Sequence, residues 1–161
     1  MIGFSEFGEL LTLGDIALRL FVVVFIGAII GIDREIKNRP AGMRTHVLVG
    51  VGAAVIAIIE HQTIGCVIDL DATSLVNVSV GRITSTVVSG VGFLGAGTIV
   101  LSDRKISGLT TAASLWCMAC IGLAAGYGYA QIALIAGTIV LVVLKLLQRI
   151  VHVHTLKKLE V

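Results

Sequence analysis

Apolar residues fall into five long runs, separated by short polar clusters. The runs cover roughly 15–32, 46–59, 82–101, 108–126 and 131–147. A helix needs about twenty apolar residues to cross a hydrocarbon core. The second run reaches that length only if it continues past Glu60 and His61 to Ile68, which the pattern leaves open. Ahead of the first run, Phe4, Phe7, Leu10, Leu11 and Leu13 stand among polar residues, as in a short interfacial helix. The pattern predicts an all-α polytopic membrane protein with about five transmembrane helices.

The third run reads RITSTVVSGVGFLGAGTIVL and carries Gly90, Gly92, Gly95 and Gly97. At about 100° per residue, Ser89, Gly92, Gly95 and Ala96 fall on one side, with Gly90 and Gly97 opposite. A helix bare on two sides admits two neighbouring backbones, so this run is expected to be the central helix. Gly27 with Gly31, and Gly122 with Gly126, make GxxxG steps that predict packing faces on the first and fourth spans.

Charge sets the orientation. The first connection, Asp33 to Thr45, holds Arg34, Lys37, Arg39 and Arg44, with a turn at Pro40, Ala41 and Gly42. The second, about Asp69 to Gly81, has two acids and no base. The third holds Arg104 and Lys105, and the end of the chain holds Lys145, Arg149, Lys157 and Lys158. With the N-terminus out and the C-terminus in, ten of the twelve Lys and Arg fall inside, and six of the ten acids fall outside. That asymmetry is the positive-inside rule. Residues 1–147 are then a transmembrane domain and 148–161 a short basic cytoplasmic tail. Asp15 and Arg19, four apart, are expected to pair near the outer end. The acidic start is the wrong order for a signal peptide, so no cleavage is expected.

Composition sharpens the picture. The chain is 57% hydrophobic and 14% charged, against about 25% charged in soluble domains. Its mean hydropathy is +1.04. So short a chain cannot hide this much apolar surface from water, so the lipid bilayer is its solvent. No nucleic-acid partner is expected at a net charge of +2. Cys66, Cys117 and Cys120 do not form a disulfide framework.

Several motifs are better read as packing than as chemistry. Gly90-x-Gly92-x-x-Gly95 matches the dinucleotide fingerprint, but it lies inside a span with no acid about twenty residues on. Cys117-x-x-Cys120 is mid-span with no charged neighbour to activate a thiol. His152 and His154 lack a third ligand. No nucleophile–base pair or ligand triad stands at a usable sequence spacing, so no enzyme activity is expected. The polar residues at the span ends are less easily dismissed. Asp33, Arg34, Glu35, Arg44 and Thr45 bracket the inner ends of the first two spans, and Arg82 opens the third. They are either membrane anchors or a polar cluster between helices. Asp33, Glu35 and Glu60 are weak candidates for contact with a hard cation such as magnesium. Four nearby bases make the first two a poor cage.

Three motifs stand in order: Gly31-x-Asp33-Arg34-Glu35 with Arg39-Pro40-Ala41-Gly42-x-Arg44-Thr45, Arg82 leading into Val88-Ser89-Gly90-Val91-Gly92-Phe93-Leu94-Gly95-Ala96-Gly97, and Gly108-Leu109-Thr110-Thr111-Ala112-Ala113-Ser114-Leu115-Trp116. Together they resemble the MgtC/SapB family of bacterial inner-membrane proteins, over roughly residues 15–147. The resemblance implies a role in magnesium homeostasis. It points to Arg34, Glu35, Arg44, Thr45, Arg82, Gly92, Phe93, Gly95, Gly97, Thr110 and Thr111 as positions shared with the family. Many members carry Asp-Pro before the arginine of the second motif. Here Val78-Ser79-Val80-Gly81 precede Arg82, so Asp69, Asp71 or Asn77 would have to replace that acid. Some members also have a C-terminal ACT-like domain, and the chain is expected to be a short form without one.

Two functions follow from the resemblance. One is a non-enzymatic regulatory membrane protein that binds a membrane complex such as the F-type ATP synthase, with a homo-oligomer also expected. The other is a magnesium or divalent-cation transporter or channel acting as an oligomer.

Overall fold

The computed structural model describes residues 11–69, 79, 81–102 and 105–159. The proposed interfacial helix before Leu11, together with Asp71 and Asn77, lies outside the described residues. The described residues form five helices: α1 (Leu13–Ile36), α2 (Met43–Asp69), α3 (Arg82–Ala96), α4 (Leu109–Gly126) and α5 (Ala130–Leu159). A hairpin of β1 (Val100–Ser102) and β2 (Lys105–Ser107) joins α3 to α4. Leu101 lies opposite Ile106 in its antiparallel register. Three segments are long and apolar enough to cross a membrane: α1, Met43–Val67 of α2, and α4. The apolar part of α5 runs from Ala130 to Leu146. This is an all-α polytopic membrane protein.

Local chemistry starts and stops the first helix. Thr12 and Asp15 form a reciprocal capping box at its N-terminus. At the other end Asn38 takes a left-handed φ of 50°. The Asn38 N–H then reaches the Glu35 carbonyl and the Arg39 N–H reaches the Arg34 carbonyl. This is a helix stop for which asparagine is one of the few suitable side chains. Asp15 is thus a cap. Arg19, expected to pair with it, donates from Nη1 to the Gly126 carbonyl at 2.7 Å. That contact suits the negative end of α4. The second span runs unbroken past Glu60 and His61, settling the question the hydropathy left open.

The third span departs from expectation. The predicted helix Arg82–Leu101 ends at Ala96, and Gly97 caps it with its N–H on the Gly95 and Phe93 carbonyls. Thr98 Oγ1 also donates to the Gly95 carbonyl at 2.8 Å. Beyond the glycine, Thr98, Ile99 and Val100 are β-branched, and such residues favour strand over helix. Gly108, with a φ of 91°, turns the hairpin back into α4. A Cβ there would overlap the Thr98 carbonyl oxygen.

The central helix is α4, which corrects the expectation for α3. Ten residues of α4 are buried, against Val91 and Gly95 alone on α3. The glycine steps show why. Added Cβ atoms at Gly122 and Gly126 would overlap the Gly50 and Ala54 carbonyl oxygens of α2. Gly27 and Gly31 bring α1 onto α2 at Val47 and Met43. Ser114, Gly122 and Gly126 meet His46, Gly50 and Ala54 in the same order, so α2 and α4 run parallel. By contrast, among the described residues a Cβ at Gly90 or Gly92 meets nothing within 4 Å, and Phe93 is 83% exposed. The core has two parts. Val23, Ile26, Ile30, Met118 and Ile121 join α1 and α4 with Ala133 and Leu144 of α5. Ala53, Ala57, Ala119 and Leu123 join α2 and α4 with Val91 of α3.

Candidate functional site

Because α2 and α4 are parallel and α1 is antiparallel to them, the end of α1 meets the beginnings of both. Arg34, in the last turn of α1, is 1% exposed. Its Nη2 donates to Thr111 Oγ1, in the first turn of α4, at 2.8 Å. Its buried Nε has no hydrogen-bond partner. His46, fully buried, lies alongside. His46 Nδ1 stands 2.9 Å from the Gly42 carbonyl, which can only accept, so Nδ1 carries a hydrogen. His46 Nε2 faces Ser114 Oγ at 3.1 Å, and that hydroxyl donates to the Thr111 carbonyl at 2.9 Å. A polar chain thus runs from the Pro40–Gly42 turn through His46, Ser114 and Thr111 to Arg34. It sits where water is excluded, so each of its members needs a partner.

The other polar candidates at this end stay outside that chain. Asp33 pairs with Lys37 at 2.8 Å, one helical turn away on α1. Glu35 accepts the Met43 N–H at 3.0 Å and so caps α2 from the end of α1. Arg44, Thr45 and Thr110 are exposed.

The opposite end has its own cluster. Glu60, 4% exposed, accepts the N–H groups of Ile83 and Thr84 at 3.3 and 3.1 Å. It also accepts the Thr84 and Tyr127 hydroxyls. The N-cap of α3 is Gly81, which has no side chain to offer, and Glu60 of α2 fills that role. Arg82 is exposed beside this cap; the side chain of Asp69, with Asp71 and Asn77, lies outside the described residues. The three acids singled out for a cation therefore stand apart: Asp33 on a lysine, Glu35 and Glu60 on helix N-termini. Among the described residues no three of His, Cys, Asp and Glu converge as a metal site would need.

The profile of the MgtC family matches residues 20–153. The chain belongs to the MgtC family. It is 35% identical over 136 residues to Escherichia coli K12 YhiD, named as a candidate magnesium transporter, covering 84% of this chain and 62% of YhiD. It is 42% identical over 124 residues to the protein MgtC of Salmonella typhimurium LT2, covering 77% of this chain and 48% of that protein. The chain thus spans less than two thirds of either relative. No solved structure matches it.

Within this MgtC-family chain, the structure joins the first and third sequence motifs through Arg34 and Thr111. The glycine motif, with Gly90, Gly92 and Phe93, points away from both clusters. Two members of the buried chain, His46 and Ser114, escaped the sequence reading. The signals for them are short-range. His46 lies four residues after the Gly42 turn, one helical turn on. Ser114 lies three after Thr111 and so shares its face. His46 and Ser114 have the spacing of a base and a nucleophile. Ser114 is 3% exposed and His46 fully buried, so in this packing no substrate reaches them.

Proposed function

We propose that this protein serves magnesium homeostasis as a non-enzymatic regulatory subunit of the bacterial inner membrane. In this reading it is multi-pass, with the N-terminus out and the C-terminus in. It acts through the open face of α3, either as a homo-oligomer or docked on a membrane complex such as the F-type ATP synthase. The magnesium link rests on family membership and on the name of YhiD. The regulatory role rests chiefly on one observation: Asp33, Glu35 and Glu60 are each engaged within the fold and lie apart. A permeating divalent cation needs several carboxylate or carbonyl oxygens gathered at one place. Lipid-facing helices rarely leave glycine and serine bare, whereas small residues concentrate where one membrane helix meets another.

A second reading, transport of magnesium by an oligomer, takes its support from the name of YhiD. Magnesium influx into liposomes holding only this protein separates the two. The regulatory reading expects influx no faster than in protein-free liposomes, and co-purification of a partner complex or a second copy from gently solubilised membranes. Influx that disappears in Asp33→Asn would replace it with the transport reading.

A further inference from the structure

We propose that the first turn of α4, backed by Arg34, binds a phosphate group at the end of the bundle that the basic residues place in the cytoplasm. The proposal does not rest on the magnesium reading. α2 and α4 both begin at this end, and each helix start carries partial positive charge and N–H groups outside its own ladder. On α2 that position is filled by the Glu35 carboxylate. On α4 it is not. Its N-cap, Gly108, makes no side-chain bond. The ladder opens only with the Ala112 N–H on the Gly108 carbonyl, so the N–H groups of Leu109, Thr110 and Thr111 precede it. Leu109 is 58% exposed and Thr110 is exposed, so this turn is open to a ligand.

Arg34 supplies the independent observation. It is a buried cation aimed at this same turn through Thr111 Oγ1, with Nε buried and unpartnered. The acids on either side of it face elsewhere, Asp33 to Lys37 and Glu35 to the Met43 N–H. Among the described residues no carboxylate forms an ion pair with Arg34. A buried guanidinium calls for a counter-charge. Helix N-termini and arginine together are the groups that hold phosphate oxygens. Across residues 33–44 the charge is four positive against two negative, which favours an anion bearing more than one oxygen acceptor. The phosphate could belong to a phospholipid head group of the inner leaflet or to a soluble phosphate ester.

The test uses the purified full-length chain, delipidated in detergent. Thermal unfolding is followed while it is titrated with inorganic phosphate, with phosphatidylglycerol, or with a phosphate-free glycolipid. Stabilisation by phosphatidylglycerol alone assigns the site to a lipid head group, and stabilisation by inorganic phosphate as well assigns it to phosphate from either source. Arg34→Lys keeps the charge but loses the planar group that aims it at this turn through Thr111 Oγ1, and is expected to weaken binding severalfold. Thr110→Asp sets a carboxylate on an exposed position over the same N–H groups, where an acid suits a helix start, and should weaken binding in the same titrations without harming the fold. The proposal is overturned if neither phosphate probe stabilises the protein more than the glycolipid does. It is equally overturned if the stabilisation is unchanged in Thr110→Asp.

Discussion

α3 and α4 lie side by side, and both carry glycines at helical spacing, yet the two sets meet opposite surroundings. At Gly122 and Gly126 of α4 the missing side chains let the α2 backbone approach until the Gly50 and Ala54 carbonyls fill the space. At Gly90 and Gly92 of α3 no described residue comes within 4 Å of where a Cβ would stand. Gly95 is intermediate, with Ala112 at ordinary contact distance from where its Cβ would be. A glycine in a membrane helix is therefore permission for contact, and the contact itself depends on what the rest of the chain brings alongside. α4 is enclosed because it has neighbours on several sides: α2, α1 and α5 in one core, and α3 in the other. α3 is held along one side only. Its 15 residues span about 22 Å, short of the roughly 30 Å hydrocarbon thickness.

The largest effect should come from filling the α4 side of that contrast. Gly122→Val drives a branched side chain into the α2 backbone, which cannot yield as a flexible side chain would. The expected cost is about 3 kcal/mol or more, read as loss of the monodisperse folded fraction in detergent. Gly92→Val, made in parallel, should retain that fraction. Equal loss in both would mean that α3 is packed within the chain and that the contrast is wrong.

Next comes the anchor of α3. Glu60→Ala takes four acceptor contacts away from the start of α3 and from Tyr127. The expected cost is about 2–3 kcal/mol, the scale of buried donors left without acceptors. It should fall on α3 rather than on the α2–α4 pair. Hydrogen exchange should rise over Arg82–Ala96 while protection in Leu109–Gly126 holds. Uniform loss of protection would show that the two helices unfold as one unit.

That long reach of Glu60 also explains what the sequence revealed and what it hid. The spans were legible because lipid demands runs of apolar residues, and that demand is local. The capping box at Thr12 and Asp15 is also local, three residues apart. Other helix ends are set at a distance: Glu35 caps a residue eight positions on, Glu60 one 23 positions on, and Arg19 reaches a carbonyl 107 positions away. Such pairs leave no periodic trace in the chain. The same holds for the site. Arg34 stood out by its place at a span end and Thr111 by the family resemblance, but their contact, 77 residues apart, depends on α2 and α4 running parallel. His46 was hidden for a further reason. It begins an apolar run, where a lone histidine reads as the edge of a span. The hairpin was missed because hydropathy does not separate a helix from Val100 and Leu101 in a strand.

The smallest effect on folding, and the one that bears most on function, belongs to Gly92→Leu. Its Cβ has open space, and leucine is the better helix former by nearly 1 kcal/mol. The isolated chain should therefore unfold at the same temperature as wild type or slightly above it. Assembly is a separate matter. Ser85 and Ser89, and Thr86 and Gly90, repeat small residues four apart on the exposed part of α3. All three hydroxyls turn back onto their own helix: Ser85 and Thr86 onto the Arg82 carbonyl, Ser89 onto the Ser85 carbonyl. The helix can then present a low surface without unsatisfied polar groups. If a second helix lies there, leucine at 92 holds it off, and cross-linking or co-purification should fall while stability does not. If the face meets only lipid, leucine fits as well as glycine, and wild-type association in this variant would remove α3 as the docking surface.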